Sequence, residues 1–412
     1  HLTGDRDLIA GRNEILKSVN ENQDMYSLWT EPSVSAQAVL HRDHHKDELI
    51  IDQIDFVTDW FQTSVHGTFT GRETIQKLSL TGSSDWDITE LSSKIQPLIP
   101  IVFQVTGDHQ SNIQLEASLS DDGLIDFSIS TDIGWDSAEV AGMSIAGTTI
   151  PLLVSPNAIS IKKSRLPVGG GTLVLAGSLH QLENETWIQL EPGVLGEEIE
   201  ITPEMSKQWL RFITPLLADA TKIEGLVGIK FDEARINLVD SSKTKIRGSM
   251  NLDSVKLIAG PLTNQLIRTI ETVKAIRMDP SAITRSDKPS TLIELPTQTV
   301  GFAIANRVVA HERLQASLDR AQLITTGQVT FDGQLYLTAM IPLDPKWLGS
   351  DLQRLAGQTL QLPIIGTLDH PTLDTANLQS ILTQLGVQAI QNDAESFLED
   401  QINRGLNKLF GN

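Results

Sequence analysis

Cysteine is absent from the 412 residues, which removes disulfides, thiol nucleophiles and cysteine-rich zinc sites at once. Aromatic residues are scarce: 11 Phe, 7 Trp and 2 Tyr make up 5% of a chain that is 40% hydrophobic, so the apolar content is mostly aliphatic. That composition suits an ordered, β-rich chain and argues against disorder. Basic charge is also short, with 32 Lys and Arg against 52 Asp and Glu, and the net charge of −20 gives a field that repels phosphate backbones and anionic bilayer faces. No nucleic-acid partner is expected. No apolar run approaches the roughly 18 residues of a membrane-spanning helix. The nearest, around Pro97 to Val105, is short and broken by prolines. The chain begins at His1 without a charged start and an apolar stretch behind it, so any signal or anchor is expected to lie outside these residues.

What is present is period-two alternation bounded by turn residues. In "NIQLEASLSDDGLIDFSIS", Ile113, Leu115, Ala117 and Leu119 face one way, Asp122 and Gly123 supply a hairpin turn, and Ile125, Phe127 and Ile129 return on the same face. "TTGQVTFDGQLYLTAMIPL" repeats the design with Val329 and Phe331, a turn at Asp332 and Gly333, and Leu335, Leu337, Ala339 and Ile341. The same pattern runs through Leu173 and Leu175, Phe302 and Ile304, and Leu314, Ala316 and Leu318. An antiparallel sheet with one apolar and one polar face follows.

Helices are expected to punctuate that sheet. Asp87 opens one with Ile88, Leu91, Ile95 and Leu98; Thr202 and Pro203 open another with Met205, Trp209, Ile213 and Leu216. Gly260 and Pro261 precede Leu262, Leu266, Ile270 and Val273, and Asp344 and Pro345 precede Leu348, Leu352 and Leu355. Asp5 to Val19 reads as an amphipathic helix. So does the tail, where Asp374 is the cap and Leu378, Ile381, Leu382, Leu385, Ala389, Leu398, Ile402, Leu406, Leu409 and Phe410 form an apolar stripe. The stretch Arg277 to Ser290 is polar and proline-bearing, the expected linker or long loop. Three segments result: residues 1–140, a helix and sheet; 141–375, further sheet; and 376–412, a helical cap over the sheet's open end or against a partner.

Candidate chemistry is thin. "HRDHHKDE", His41 to Glu48, gathers metal-capable side chains but matches neither structural nor catalytic zinc spacing, and a solvated loop explains it as well. "PVGGGTLVLAGS", Pro167 to Ser178, lacks the Lys-Ser or Lys-Thr of a phosphate loop and leads into strand alternation, so its glycines are read as a turn. No Gly-x-Ser-x-Gly elbow or His-Glu-x-x-His helix is present. No enzyme activity, cofactor or metal is expected.

"LQLPIIGTLDHPTLD", Leu360 to Asp374, holds two prolines that each remove a strand donor, so this strand is expected at a sheet edge or terminus. Together with residues 326–359 it resembles the C-terminal region of the AsmA-like superfamily, the TamB-related repeating β-groove proteins. Ile341, Pro342 and Leu343, then Leu362, Pro363, Gly366, Thr367, Leu368, Pro371 and Leu373 carry the resemblance. Residues 150–179, "IPLLVSPNAISIKKSRLPVGGGTLVLAGSL", are similar to that family's strand, strand, glycine-turn, strand unit. The resemblance implies a mainly β fold with short helices, an elongated curled antiparallel sheet with an apolar concave face. It also implies a place in the periplasm, tethered to the inner membrane by an anchor outside these residues, and a role in moving phospholipid for outer-membrane homeostasis.

The expected groove lining is Ile113, Leu115, Leu119, Ile125, Phe127, Ile129, Leu173, Leu175, Phe302, Ile304, Leu314, Leu318, Leu335, Leu337 and Ile341. The helices are expected to be too short to cover every strand, which leaves an open face where a charge at Phe127 or Leu337 would barely disturb the fold. Phospholipid and envelope membrane proteins are the expected partners. The alternatives are a non-enzymatic β scaffold for envelope protein assembly and a closed tubular lipid carrier.

Overall fold

Tight turns join most of the alternating segments, so strands adjacent in sequence pair in space. The structure, a computed structural model, describes residues 33–374 except 44, 46–47, 72–74, 99–101, 121–122, 183–184, 216–219, 221, 276–291, 319–320 and 346–355. The expected helices at Asp5 to Val19, after Pro345 and beyond Thr375, and the expected linker at Arg277 to Ser290, lie outside the described residues.

The chain runs β1 (Ser35–Asp43), β2 (Glu48–Val57), β3 (Phe61–Thr70), β4 (Gln76–Asp87), α1 (Ile88–Ile95), β5 (Phe103–Thr106), β6 (Asp108–Ser120), β7 (Gly123–Val140), β8 (Met143–Ser155), β9 (Ala158–Val168) and β10 (Gly171–Leu182). It continues through β11 (Glu185–Leu190), β12 (Gly193–Glu200), a helical segment α2, then β13 (Lys222–Asn237), β14 (Lys245–Ile258), α3 (Pro261–Ala275), β15 (Leu292–Leu295) and β16 (Gln298–Ala305). Strands β17 (Val308–Leu318), β18 (Ala321–Thr330), β19 (Leu335–Pro342), β20 (Thr359–Gly366) and β21 (Pro371–Leu373) complete it. Among the described residues all pair antiparallel in one 21-stranded sheet. Pairing is continuous across residues 140 and 141, because β7 and β8 form one hairpin. Among the described residues the outermost rung at the C-terminal end is the three-residue β21, so the proline-bounded β20 has a neighbour on both sides.

Chain direction makes the two long edges of this sheet unlike. Along one, hairpins close with short turns between β3 and β4, β6 and β7, β8 and β9, β10 and β11, and β18 and β19. We call this the turn edge. Along the other, the helix edge, α1 connects β4 to β5, α2 connects β12 to β13 and α3 connects β14 to β15.

Each helix begins where the sequence placed it. The Asp87 side chain accepts from the Glu90 N–H at 2.8 Å and caps α1. The Thr202 hydroxyl oxygen accepts from the Met205 N–H at 3.1 Å, with Pro203 in the first turn of α2. Segment α2 is an α-helical turn Pro203–Met205, a π-helical stretch Ser206–Leu210 and a second α-helical turn Arg211–Ile213. In α3, Leu262, Leu266 and Ile270 recur every fourth residue and are all buried.

Segment α2 shows how strongly the sheet curls. At its start the Thr202 hydroxyl donates to the Gly142 carbonyl in the β7–β8 turn, 2.9 Å away. Gly142 has φ +78°, and a Cβ there would lie 2.6 Å from the Met205 nitrogen, so only glycine fits this approach. At its end Arg211 donates to the Asp369 carboxylate in the β20–β21 turn at 2.5 Å. Those turns are separated by about ten strand spacings, roughly 48 Å of sheet at 4.8 Å each. Eleven helical residues reach only about 16 Å. The sheet from β8 to β20 must therefore wrap around α2.

Inside the wrap lies a large core. Met205, Leu210, Leu262 and Leu266 from the helices pack with Met250, Val300, Leu314, Val329, Ala339, Ile341 and Ile364, all at 0% exposure. A cavity between α3 and β14, β15, β17 and β18, lined by Leu257, Thr263, Ile293, Leu295, Ala316, Leu318 and Leu323, holds only ≈ 10 Å³. Helices and curl together thus cover this part of the face, contrary to the expectation that helices would leave it open. A second, small cluster of Ile51, Val65 and Leu80 sits under β2, β3 and β4.

Replacing Leu266 with alanine should cost about 2–5 kcal/mol in urea unfolding, because a fully buried side chain is removed from a packed site. His311, 3% exposed on β17, supplies a pH signature: burial lowers its pKa from 6.5 to about 4. The unfolded chain binds a proton below pH 6.5 and the folded chain only near pH 4, so this contribution is complete above pH 6.5 and is lost as pH falls towards 4. Stability should decline by about 1.4 kcal/mol per pH unit across that window through this group, and His311→Gln should flatten the decline.

Candidate functional site

The strand register lets one face be followed across the whole sheet, since directly opposed residues point the same way. Leu40 of β1 opposes Ile51, which opposes Gly67, then Leu80, Leu115, Ile129, Val154, Ile159, Leu179, Ile188 and Ile236. This row crosses eleven strands, roughly 48 Å at 4.8 Å per step, and only one position, Gly67, lacks an apolar side chain.

A second row nearer the helix edge runs from Thr131 through Leu152, Ile161, Gly177, Leu190, Ala234, Ile246, Ile304 and Val309 to Val329 and Leu335. Bulges keep the face in step. Register shifts between Ile51 and Ile54, between Leu175 and Gly177, and between Phe231 and Glu233 insert an extra residue where strict alternation would have turned the apolar set outward.

The fifteen residues expected to line a groove fall along this face in two different environments. Leu173, Phe302, Leu314, Leu318, Leu335, Leu337 and Ile341 are buried in the core around α2 and α3, and Leu175 and Ile304 pack against it. Leu337 is 4% exposed, which corrects the expectation that a charge there would be tolerated. Ile113 and Leu115 pack against the small cluster under β2 to β4. Leu119, Phe127 and Ile129 are half-buried and belong to neither core. Ile125 is 54% exposed and sits at a bulge, skipped between the Ser118–Asp126 and Leu119–Leu124 pairs. The open part of the face therefore lies on those portions of β6 to β11 that the main core does not reach. There Ile129, Leu152, Val154, Leu179 and Ile188 are half-buried and Ile159 is exposed, whereas Ile161 packs against the core.

Sequence reading missed Leu152, Val154, Ile161, Leu179 and Ile188, although the alternation in "LLVSPNAISI" was there to find the first three. It also missed a hydroxyl band. On the same face as Leu80 and Leu115, nearer the helix edge, the hydroxyls of Ser84 and Ser111 are 2.7 Å apart and Ser111 lies 3.0 Å from that of Thr131. The Trp86 indole N–H donates to both serine oxygens at 3.0 Å. The band is hydrogen-bonded within itself, so it can face an apolar medium at little cost. Beside it His109 Nε2 and the Asp132 carboxylate meet at 2.5 Å. Among these residues only cross-strand register, invisible in sequence, creates the cluster.

The histidine-rich segment does not assemble a centre among the described residues. His41 Nδ1 is 2.7 Å from the Asp52 carboxylate, and the His45 backbone N–H donates to Asp43 at 2.9 Å. No group of three or more described His, Asp or Glu side chains is arranged to hold a metal. The glycines of Pro167 to Ser178 form the β9–β10 turn, with Gly169 and Gly170 at positive φ. No helix among the described residues is long and apolar enough to cross a membrane.

Comparison with family models, with curated proteins and with solved structures finds no match to this chain.

The open and closed parts of the face should respond differently to the same charge. Phe127→Asp removes a half-exposed ring outside both cores and should lower stability by about 1 kcal/mol. Leu337→Asp buries an unpaired carboxylate and should cost about 4 kcal/mol or more. Denaturant melts of the two variants measure the contrast.

Proposed function

We propose that this chain is a lipid-binding or lipid-transfer protein in which the open face of β6 to β11 holds acyl chains. The observation that carries the reading is the row from Leu115 to Ile236, apolar at every strand and half-exposed in the middle of a sheet whose remaining apolar face is packed away. An exposed apolar strip of this extent in a protein is a binding surface by default. Each methylene moved from water onto it contributes roughly 0.8 kcal/mol, so a single acyl chain can be held without a specific polar contact. The self-satisfied hydroxyl band extends the surface without presenting an unpaired polar group.

The sequence resemblance to the AsmA-like superfamily supports reading such a groove as periplasmic, tethered to the inner membrane by an anchor outside these residues and working with envelope membrane proteins on phospholipid. The role is binding and transfer, without catalysis. One observation favours a second reading for part of the molecule: the core around α2 and α3 is closely packed, and the cavity beside α3 holds only ≈ 10 Å³, far less than a lipid tail. That half would then serve as a scaffold that closes the groove.

Native mass spectrometry of the purified protein tests the proposal. Co-purified phospholipid is expected, and Ile129→Asp, in the half-buried middle of the row, should reduce the loaded fraction several-fold while the variant remains folded. Parent protein free of lipid after extraction from cells and after incubation with vesicles would remove the groove reading and leave the scaffold.

A further inference from the structure

The two terminal strands of the sheet are guarded differently. Among the described residues the sheet ends at β21 on one side and at β1 on the other. Strand β21 is three residues long and opens with Pro371, which removes a donor, so little of it can take another strand. Strand β1 has nine residues, eight of them exposed, with no proline or lysine among them, and among the described residues it pairs only with β2. An open strand of this length is a template for pairing.

The apolar face runs out to this strand. Ala36, Ala38 and Leu40 oppose Phe56, Ile54 and Ile51 of β2. Leu40 is 48% exposed, and Val39, which points to the opposite face, is 59% exposed. Behind them lies the cluster of Ile51, Val65 and Leu80, far smaller than the core around α2 and α3.

We propose that β1 is a self-pairing strand: two copies of this chain join antiparallel about a two-fold axis through Val39, and the sheet and its apolar face continue from one copy into the other. The register that uses all nine residues sets Val39 against Val39, Ala38 against Leu40, Gln37 against His41, Ala36 against Arg42 and Ser35 against Asp43. Directly opposed residues share a face, so Ala36, Ala38 and Leu40 of both copies lie together. The row that begins at Leu40 then runs on through Ala38 to Ile54 of the second copy. A shift of one residue would turn the second copy's apolar set to the wrong side. No like charges are opposed, since Arg42 meets alanine and Asp43 meets serine. One arginine and one aspartate leave the strand formally neutral, within a chain whose charge of −20 otherwise keeps copies apart. The pairing rests on strand geometry and stands without the groove reading.

Sedimentation velocity of the full chain tests it. The parent is expected to run as a dimer. Val39→Lys and Val39→Glu each set like charges against each other at the axis and should weaken the dimer about tenfold or more, whereas a mixture of the two variants opposes unlike charges and should restore it. Val39 is exposed, so both variants should melt like the parent. Because the chain has no cysteine, Val39→Cys should give a disulfide-linked dimer under mild oxidation. Gln37→Cys, whose two copies would lie about 13 Å apart along the strands, should not. A monomeric parent, or a dimer that both charge variants leave unchanged, would overturn the proposal. So would crosslinking through Gln37→Cys and not through Val39→Cys. A parent that is monomeric alone but whose β1 crosslinks to a different protein in cells would overturn self-pairing in favour of strand addition by a partner.

Discussion

Everything in this structure depends on keeping one face of a very wide sheet in register. A strand turns half its side chains each way, and a slip of one residue would put the whole apolar set on the wrong side. Across twenty-one strands that error would be severe, and the bulges at Asp52–Gln53, near Ala176 and near Asp232 are where the chain absorbs extra residues without it. With the face continuous, its apolar area must be removed from water somewhere. In the C-terminal half, curling and two helices do this. In the N-terminal half, the covering is incomplete, and the rows through Ile129 and Leu152 remain partly open.

The contact between Arg211 and Asp369 shows how the two halves are separated. A short helix fixed at one end to the β7–β8 turn and at the other to the β20–β21 turn limits how far the sheet can uncurl. It also fills the inside of the curl in the C-terminal half with Met205 and Leu210. Exposed ion pairs contribute little to stability, so the buried Met205 and Leu210 hold α2 in place and the charged contact sets its direction.

Much of this was legible from the chain. Alternation around Asp122–Gly123 and Asp332–Gly333 gave both hairpins, and Asp87, Thr202–Pro203 and Gly260–Pro261 gave three helix starts, because caps and turns are local chemistry. What local chemistry could not give is which apolar residues end up under a helix. Leu337 and Phe127 have the same alternating surroundings in sequence, yet one is buried against residues far along the chain and the other is not. The hydroxyl band of Ser84, Ser111 and Thr131 was hidden for the same reason: its members come from three strands and read individually as ordinary polar positions.

The central claim is that the face is lipid-exposed between β6 and β11 and closed beyond β13. Photo-crosslinking side chains placed singly at Leu152, Leu179, Val329 and Ile341, in cells or with labelled phospholipid vesicles, measures it directly. Lipid adducts are predicted at Leu152 and Leu179 and not at Val329 or Ile341. Adducts at all four positions, or at none, would contradict the account.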